Sequence, residues 1–339
     1  MRRGRALTCV LMAMLPWCLP IPAAMRLEVR VRAMIPVGRH PRYAVLAKDG
    51  RELYVTVEDD RSIWVVRTAT NRVIARIALG CKPQGLALVP DGSSSIAACD
   101  AGLRVIALGA RGVTPVSTGA VERLAVTKDG KVAYLTEGWA GLWRLEVSTR
   151  NLSIVDPLPY PNYLALTPDG KFLYVNYQHF GRGGRAGHDA IAKFDARTGK
   201  LLRSITGLPN VGGAVAISAD GRTLWANGMD ACSSLAYDHL GCPAVPAGVI
   251  NVIDTAADRL AHSMALIAPL NNELTVSPDG DLVAVCGSGV HFVDSRTFHV
   301  LAGVLESDTN ALVFSRDGRR AYATLPNQNK VAVLDIVRH

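Results

Sequence analysis

The sequence of 339 residues has few aromatic residues (6%) and few charged residues (19%). It has no internal apolar run of the roughly 20 residues that a membrane-spanning helix needs. It also has no run of five or more Lys and Arg and no CxxC or CxxCH motif. These absences argue against a membrane-spanning mature chain, a nucleic-acid partner, covalent haem and a compact cysteine-based zinc site. Instead, glycine (31) and proline (18) are frequent, which favours turn-rich β-structure.

The N-terminus has the three parts of an export signal. Three arginines precede an apolar stretch over 6–15, and the small residues Ala23 and Ala24 follow it. We therefore expect residues 1–24 to be a signal peptide and residues 25–339 to form one domain, periplasmic or secreted. Loss of the three arginines lowers the formal charge from +8 to +5, a mild excess typical of a solvated basic surface.

One unit recurs seven times in the chain. Each copy has an apolar segment, an Asp-Gly pair and a second apolar segment, which is the pattern of a β-hairpin. The pairs lie at 49–50, 91–92, 129–130, 169–170, 220–221, 279–280 and 317–318. A third and usually a fourth apolar segment follow, and four strands in roughly 40 residues are the unit of a propeller blade.

The ends of the chain suggest how the ring closes. After the seventh hairpin only one more strand remains, KVAVLDIV (330–337), and the segment 27–35 precedes the first hairpin. The sequence therefore predicts an all-β, seven-bladed β-propeller of four-stranded antiparallel blades, with the last blade closed by the N-terminal strand. The Asp side chains of the seven pairs are expected to brace their turns.

The repeats resemble the YVTN-type repeat of exported bacterial seven-bladed propellers. The segment 38–56, GRHPRYAVLAKDGRELYVT, carries the Gly-x-x-Pro entry, the Asp-Gly turn and the Tyr-Val-Thr strand. Segments 80–92 and 248–260 carry the entry and the Val-Ile-Asp-Thr strand. The four-residue signature is degraded to YVTV (54–57), YLTE (134–137), YVNY (174–177) and YATL (322–325). The resemblance implies the fold. Its members include partners of oxidative-catabolism systems and surface-layer proteins, and similar propellers form the cofactor-free subunit of amine dehydrogenases.

Two long insertions fall between the second and third strands of neighbouring blades. They span Gln178–Asp189 and Gly228–Gly248, and we expect both to leave the same face of the ring. Lengthened loops on a rigid scaffold are where binding residues concentrate. The candidate ligand- or partner-binding residues are His179, Arg182, Arg185, His188, Asp230, His239 and Trp139. The neighbouring Trp143 is expected to pack in the core between blades.

The odd number of mature cysteines leaves two interpretations open. In the first, Cys81 bonds to Cys99 and Cys232 to Cys242, with Cys286 buried as a small hydrophobe. In the second, Cys232, Cys242 or Cys286 joins His179, His188 or His239 in a soft-metal site.

Polar residues precede the inner strands at the channel mouth. They are His40, Gln84, Glu122, Asn162, Asn210, Asn272, Glu273, Asp308 and Asn310. Carboxylate and amide oxygens suit a divalent cation, so Glu122, Glu273 and Asp308 are weak metal candidates of a lactonase-like hydrolase. The alternative is that these residues cap the turns that enter the strands.

The sequence favours binding over catalysis. It has no GxSxG elbow, no Ser, His and Asp set can be assembled from spacing, and GRGGRAG lacks the context of a nucleotide loop. We therefore expect a monomeric binding module for an unidentified protein or small-molecule ligand, with no haem or nucleotide motif. A metal-dependent hydrolase and a non-catalytic partner subunit of a periplasmic redox enzyme are the alternatives.

Overall fold

The chain forms seven β-sheets, which are the blades of a closed propeller. The computed structural model describes residues 25–116, 118–138, 140–157, 161–177, 190–209, 213–228, 248–266 and 272–339. None of these residues belongs to a helix with the length and hydropathy that a membrane crossing requires. The predicted fold is confirmed.

Each blade begins at the channel and continues outward in chain order, except that the first strand, β1 (Leu27–Pro36), is the outer strand of blade 7. Blade 1 contains β2 (Pro41–Leu46), β3 (Glu52–Val57), β4 (Ser62–Arg67) and β5 (Arg72–Ala78). Blade 2 contains β6 (Pro83–Leu88), β7 (Ser94–Cys99), β8 (Gly102–Ala107) and β9 (Val113–Val116). Blade 3 contains β10 (Arg123–Val126), β11 (Val132–Glu137), β12 (Gly141–Glu146) and β13 (Leu152–Asp156).

Blade 4 contains β14 (Pro161–Leu166), β15 (Phe172–Tyr177), β16 (Ala190–Asp195) and β17 (Leu201–Ile205). Blade 5 contains β18 (Val215–Ile217), β19 (Thr223–Gly228), β20 (Gly248–Asp254) and β21 (Arg259–Leu266). Blade 6 contains β22 (Leu274–Val276), β23 (Leu282–Asp294) and β24 (Val300–Asp308). Blade 7 contains β25 (Leu312–Phe314), β26 (Arg320–Leu325) and β27 (Lys330–Arg338), with a 3₁₀ turn over Pro326–Gln328.

The termini close the ring as the sequence predicts. Strand β1 pairs antiparallel with β27, from Leu27 opposite Arg338 to Pro36 opposite Lys330. The inner strand of blade 7 also contacts the inner strand of blade 1. Closure pairs the edge that an open ring would leave exposed.

Blade 6 is the one blade in which two strands merge. Strand β23 is a single extended element of 13 residues, and the sheet therefore has three strands. Its two ends meet, because the Ser295 N–H donates to the Asp281 carbonyl at 3.0 Å. The element thus folds back at Gly289 (φ 107°) and supplies both the second and the third strand of the blade.

The Asp-Gly turns are braced by their own side chains. In blade 4, Asp169 accepts hydrogen bonds from the Thr167 hydroxyl (2.6 Å) and the Lys171 N–H (3.0 Å). Gly170 has φ 74°, which a side chain would disfavour. The Asp of each of the other six turns accepts the equivalent main-chain bond, so the predicted role of these aspartates is confirmed.

The core lies between neighbouring blades. The first residue of the degraded signature, as in Tyr134, Tyr174 and Tyr322, is buried against the next sheet, and Trp225 takes the same position in blade 5. Full burial of each such side chain contributes roughly 1.5–3 kcal/mol. We call the end that carries the Asp-Gly turns the turn face and the opposite end the loop face.

Candidate functional site

Four large side chains from different blades meet at the axis of the channel. Each stands directly before the inner-strand residue that pairs with the second signature residue, as Tyr43 stands before Ala44, the partner of Val55. This register position is shared by all seven blades. The large residues are Tyr43, Arg123, Tyr163 and Glu273, and the small ones at the same position are Gly85, Ala214 and Ala311. The small residues leave the room that the large ones fill. We call the four large residues the axis cluster.

Arg123 is the centre of the axis cluster. Its guanidinium carbon lies 4.8 Å from the centroid of the Tyr43 ring and 4.5 Å from that of Tyr163. One of its nitrogens also donates to the Tyr163 hydroxyl at 3.0 Å. Burial opposes the charge of Arg123, but the two tyrosines and Glu273 outweigh it and keep the pKa of the guanidinium above its ordinary value.

The main-chain carbonyls of the residues directly before this shared register position explain why an arginine stands here. In blades 3, 4 and 7 the third signature residue donates to the equivalent carbonyl of the next blade; examples are Thr136 to Asn162 (2.9 Å) and Asn176 to Gly213 (2.7 Å). In blade 2 this position is Ala98, which has no donor. Arg123 instead donates to the equivalent carbonyl of the next blade, for which Ala98 provides no donor.

Arg123 in fact donates to two of these carbonyls. One nitrogen reaches the Glu122 oxygen at 3.0 Å and the Gln84 oxygen at 3.2 Å. Both bonds satisfy main-chain acceptors that the sheet ladder leaves at the strand entries. The arginine therefore joins the inner strands of blades 2 and 3 as well as closing the channel.

Glu273 is the acidic member of the axis cluster. Burial raises the pKa of its carboxyl to about 7, although the Arg123 charge and a hydrogen bond with Tyr43 lower it. Its Oε2 atom is buried and finds no hydrogen-bond partner among the described residues. The cluster thus holds a carboxyl that is partly protonated at neutral pH and has one oxygen to offer.

The three carboxylates predicted as weak metal candidates lie in different surroundings. Glu273 belongs to the axis cluster, Glu122 is exposed, and Asp308 accepts from the amides of Asn272 (3.2 Å) and Asn327 (3.4 Å). The described ranges contain no group of three or more His, Cys, Asp and Glu side chains that could hold a metal ion. Glu122 and Asp308 therefore do not join Glu273 in such a group.

Other polar residues of the channel mouth bind main-chain carbonyls. Asn310 donates to the Arg42 oxygen at 2.9 Å, and Asn272 donates to that of Thr309 at 2.9 Å. His40 has φ 59°, and its ring lies 3.4 Å from Asp59. These contacts are the strand-entry capping that the alternative interpretation expects.

Most candidates from the two insertions lie outside the described residues. These are His179, Arg182, Arg185, His188, Asp230 and His239, together with Trp139, Asn210, Cys232 and Cys242. The strands that flank the insertions are described: β15 ends at Tyr177 opposite Ala190, and Gly228 of β19 pairs with Val249. Both insertions therefore leave from the loop face, in adjacent blades.

Cysteine placement agrees with the first interpretation where it is described. Cys81 and Cys99 form a disulfide with a Cα–Cα distance of 5.8 Å. Cys286 is a free, buried thiol. Its main-chain N–H donates to the Glu273 carbonyl at 2.9 Å, so it belongs to the wall beside the axis cluster.

Sequence reasoning missed Tyr43, Arg123 and Tyr163. A signal for them was present, since each stands directly before the first apolar residue of an inner strand, as Glu273 does. Comparing that one column across the seven repeats would have separated four large polar side chains from three small ones.

Comparison with solved structures supports the fold. The chain is similar to a chain from Kuenenia stuttgartiensis hydrazine synthase, with 17% sequence identity and a TM-score of 0.75. The match covers 88% of this chain and 96% of that chain. No protein-family model matches, and no curated protein matches. The similarity shows a propeller of this size and arrangement.

Proposed function

We propose that this chain is an exported binding module that receives a ligand or a protein partner on its loop face. The observation that carries the proposal is the axis cluster, which closes the channel with side chains from blades 1, 3, 4 and 6. A partner on the loop face would therefore meet a polar floor rather than an open pore. That floor consists of buried tyrosine rings and a carboxyl whose Oε2 atom has no hydrogen-bond partner among the described residues.

The two long connections support the same face. Residues 178–189 connect β15 to β16 and residues 229–247 connect β19 to β20 in adjacent blades, whereas the corresponding connection in blade 2 is only 100–101. Adjacent lengthened loops on a closed ring can form one surface. The floor and these loops together make the proposed binding surface.

Export is supported by the cysteines and by the N-terminal pattern. Disulfides such as Cys81–Cys99 persist mainly in oxidising compartments. We infer that the chain is a periplasmic or secreted member of the YVTN-type propellers, in line with its repeats.

A second candidate is a non-catalytic partner subunit of a redox enzyme. The match to a chain of hydrazine synthase extends over nearly the whole of both chains, which favours this possibility over a free-standing receptor. In that case the loop face would contact the enzyme.

Shortening the loops tests the proposal. In one variant, residues 178–189 and 229–247 are each replaced by a short turn like 100–101. In a control, the exposed turn-face residues Lys128 and Lys131 become alanine. Each tagged chain is purified from the producing cell envelope, and co-purifying proteins are quantified by mass spectrometry.

We expect the shortened variant to lose the partners that the intact chain retains, while the control keeps them. Equal recovery by both variants would contradict the assignment of the loop face. A redox enzyme in stoichiometric amount would select the second candidate over a small-ligand receptor.

A further inference from the structure

A cavity of about 230 Å³ lies at the loop-face end of blade 3. It is enclosed by the connection from β9 to β10, by the ends of β11 and β12, and by the outer strand β13. None of its lining residues belongs to the axis cluster. A ligand in this cavity is therefore independent of the function proposed for the axis cluster and the long loops.

The walls of the cavity are mainly apolar. Val121 and Leu135 are each 1% exposed, and Leu152 and Trp143 pack against the same core. An apolar cavity of about 150 Å³ is large enough to admit benzene. A volume of about 230 Å³ therefore accommodates one aromatic ring with a short side chain.

One carboxylate, that of Glu137, lines this apolar space. Burial raises the pKa of its carboxyl, and no ion pair involving Glu137 occurs among the described residues. Gly119 lies directly against it: a Cβ at this position would overlap Glu137 Oε1. Because Gly119 has no side chain, it leaves room for the Glu137 carboxylate.

Trp143 adds a second feature that a ligand could use. Its ring is part of the wall, and tryptophan is the side chain that attracts cations most strongly through its face.

We infer that this cavity binds a small organic cation with an apolar body, of the class of arylalkyl- or alkylammonium ions. The ammonium group pairs with Glu137, and the hydrocarbon replaces empty space against Val121, Leu135 and Trp143. A neutral molecule of the same shape leaves the carboxylate unpaired, and an anion is repelled by it.

The first experiment compares three probes of nearly the same shape: 2-phenylethylammonium, 2-phenylethanol and 3-phenylpropionate. Calorimetry and ligand-observed NMR on the intact mature chain measure binding near neutral pH. We expect the cation to bind with a Kd of about 1 mM or tighter and the neutral analogue about tenfold more weakly.

Two variants and a control locate the site. Glu137→Gln should weaken binding of the cation about tenfold. Ala140→Leu fills the cavity and should abolish binding of every probe. Glu146→Gln, which removes a blade 3 carboxylate already paired with Arg144, should change nothing.

Three results would each overturn the inference. They are equal affinity for the cation and its neutral analogue, unchanged binding of the cation by Glu137→Gln, and no binding of the cation at about ten times the expected Kd. Circular dichroism establishes that each variant is folded, so a loss of binding refers to the cavity.

Discussion

The two ends of the propeller are built from the same strands, yet their polar groups are satisfied in opposite ways. On the turn face, Asp169 bonds to residues two positions away, which lower the pKa of its carboxyl to about 2. At the loop-face end of the channel, burial raises the pKa of Glu273 to about 7, and its partners come from other blades. The hydrogen bonds of the turn face join neighbouring residues and recur in every blade, whereas the contacts of the axis cluster join residues far apart in the sequence.

This difference separates the feature that every blade repeats from the feature that distinguishes the blades from one another. A turn that satisfies itself within a few residues needs nothing from the rest of the ring and can be copied seven times. The axis cluster depends on unlike residues in one shared register position, and it retains buried polar atoms such as Glu273 Oε2. Buried polar groups that stay unsatisfied are candidates for a functional role.

The largest expected effect follows removal of the axis arginine. Arg123→Met leaves the Gln84 and Glu122 carbonyls without their donor and leaves Glu273 without a cation. We expect the free energy of unfolding to fall by about 3 kcal/mol or more in urea or guanidinium titrations.

Two further variants identify the cause. Arg104→Met removes an arginine that also donates to main-chain carbonyls, those of Leu79 and Ala101, and should cost about 1 kcal/mol. The double variant Arg123→Met with Glu273→Gln should be more stable than Arg123→Met alone. If Arg123→Met and Arg104→Met lower the free energy of unfolding by the same amount, the axis cluster has no special role in stability and the account is wrong.

A smaller effect is expected on the turn face. Asp169→Ala removes the acceptor for Thr167 and Lys171, and the free energy of unfolding should fall by about 1–2 kcal/mol at pH 7. The pKa of Asp169 is lowered from 3.8 to about 2, so its contribution is present above pH 3.8. The difference between wild type and variant should therefore disappear as the pH falls through about 2.

An exposed carboxylate of an outer strand is the matched control. Glu306→Ala should change stability by less than about 0.5 kcal/mol at any pH. A difference for Asp169→Ala that persists unchanged below pH 2 would show that the turn is not braced by a charged carboxylate.

The repeated part of the molecule could be predicted from the sequence, because it is encoded locally. The Asp-Gly pairs give the hairpins, and the terminal segments 27–35 and 330–337 give the closure that β1 and β27 form. The merged strand β23 was missed, since two glycines, Gly287 and Gly289, turn the chain without interrupting the extended pattern.

The axis cluster could not be predicted to the same degree. Glu273 was among the weak metal candidates, but its expected partners were Glu122 and Asp308 rather than Arg123. Sequence gives the register of each strand, not which side chains cross a channel to meet. The role of Arg123 depends on a missing donor at Ala98, in a neighbouring blade, and this is visible only when the blades are placed side by side.

Carboxyl NMR of the protein tests the contrast between the two ends most directly, with signals assigned by Glu273→Gln and Asp169→Asn. The account predicts an apparent pKa of about 7 for Glu273 and about 2 for Asp169 in the same titration. Because the folded-state pKa of Glu273 is raised, wild type should lose stability relative to Glu273→Gln as the pH rises from about 4.5 through about 7. Ordinary values near 4.5 for Glu273 and 3.8 for Asp169 would contradict the account.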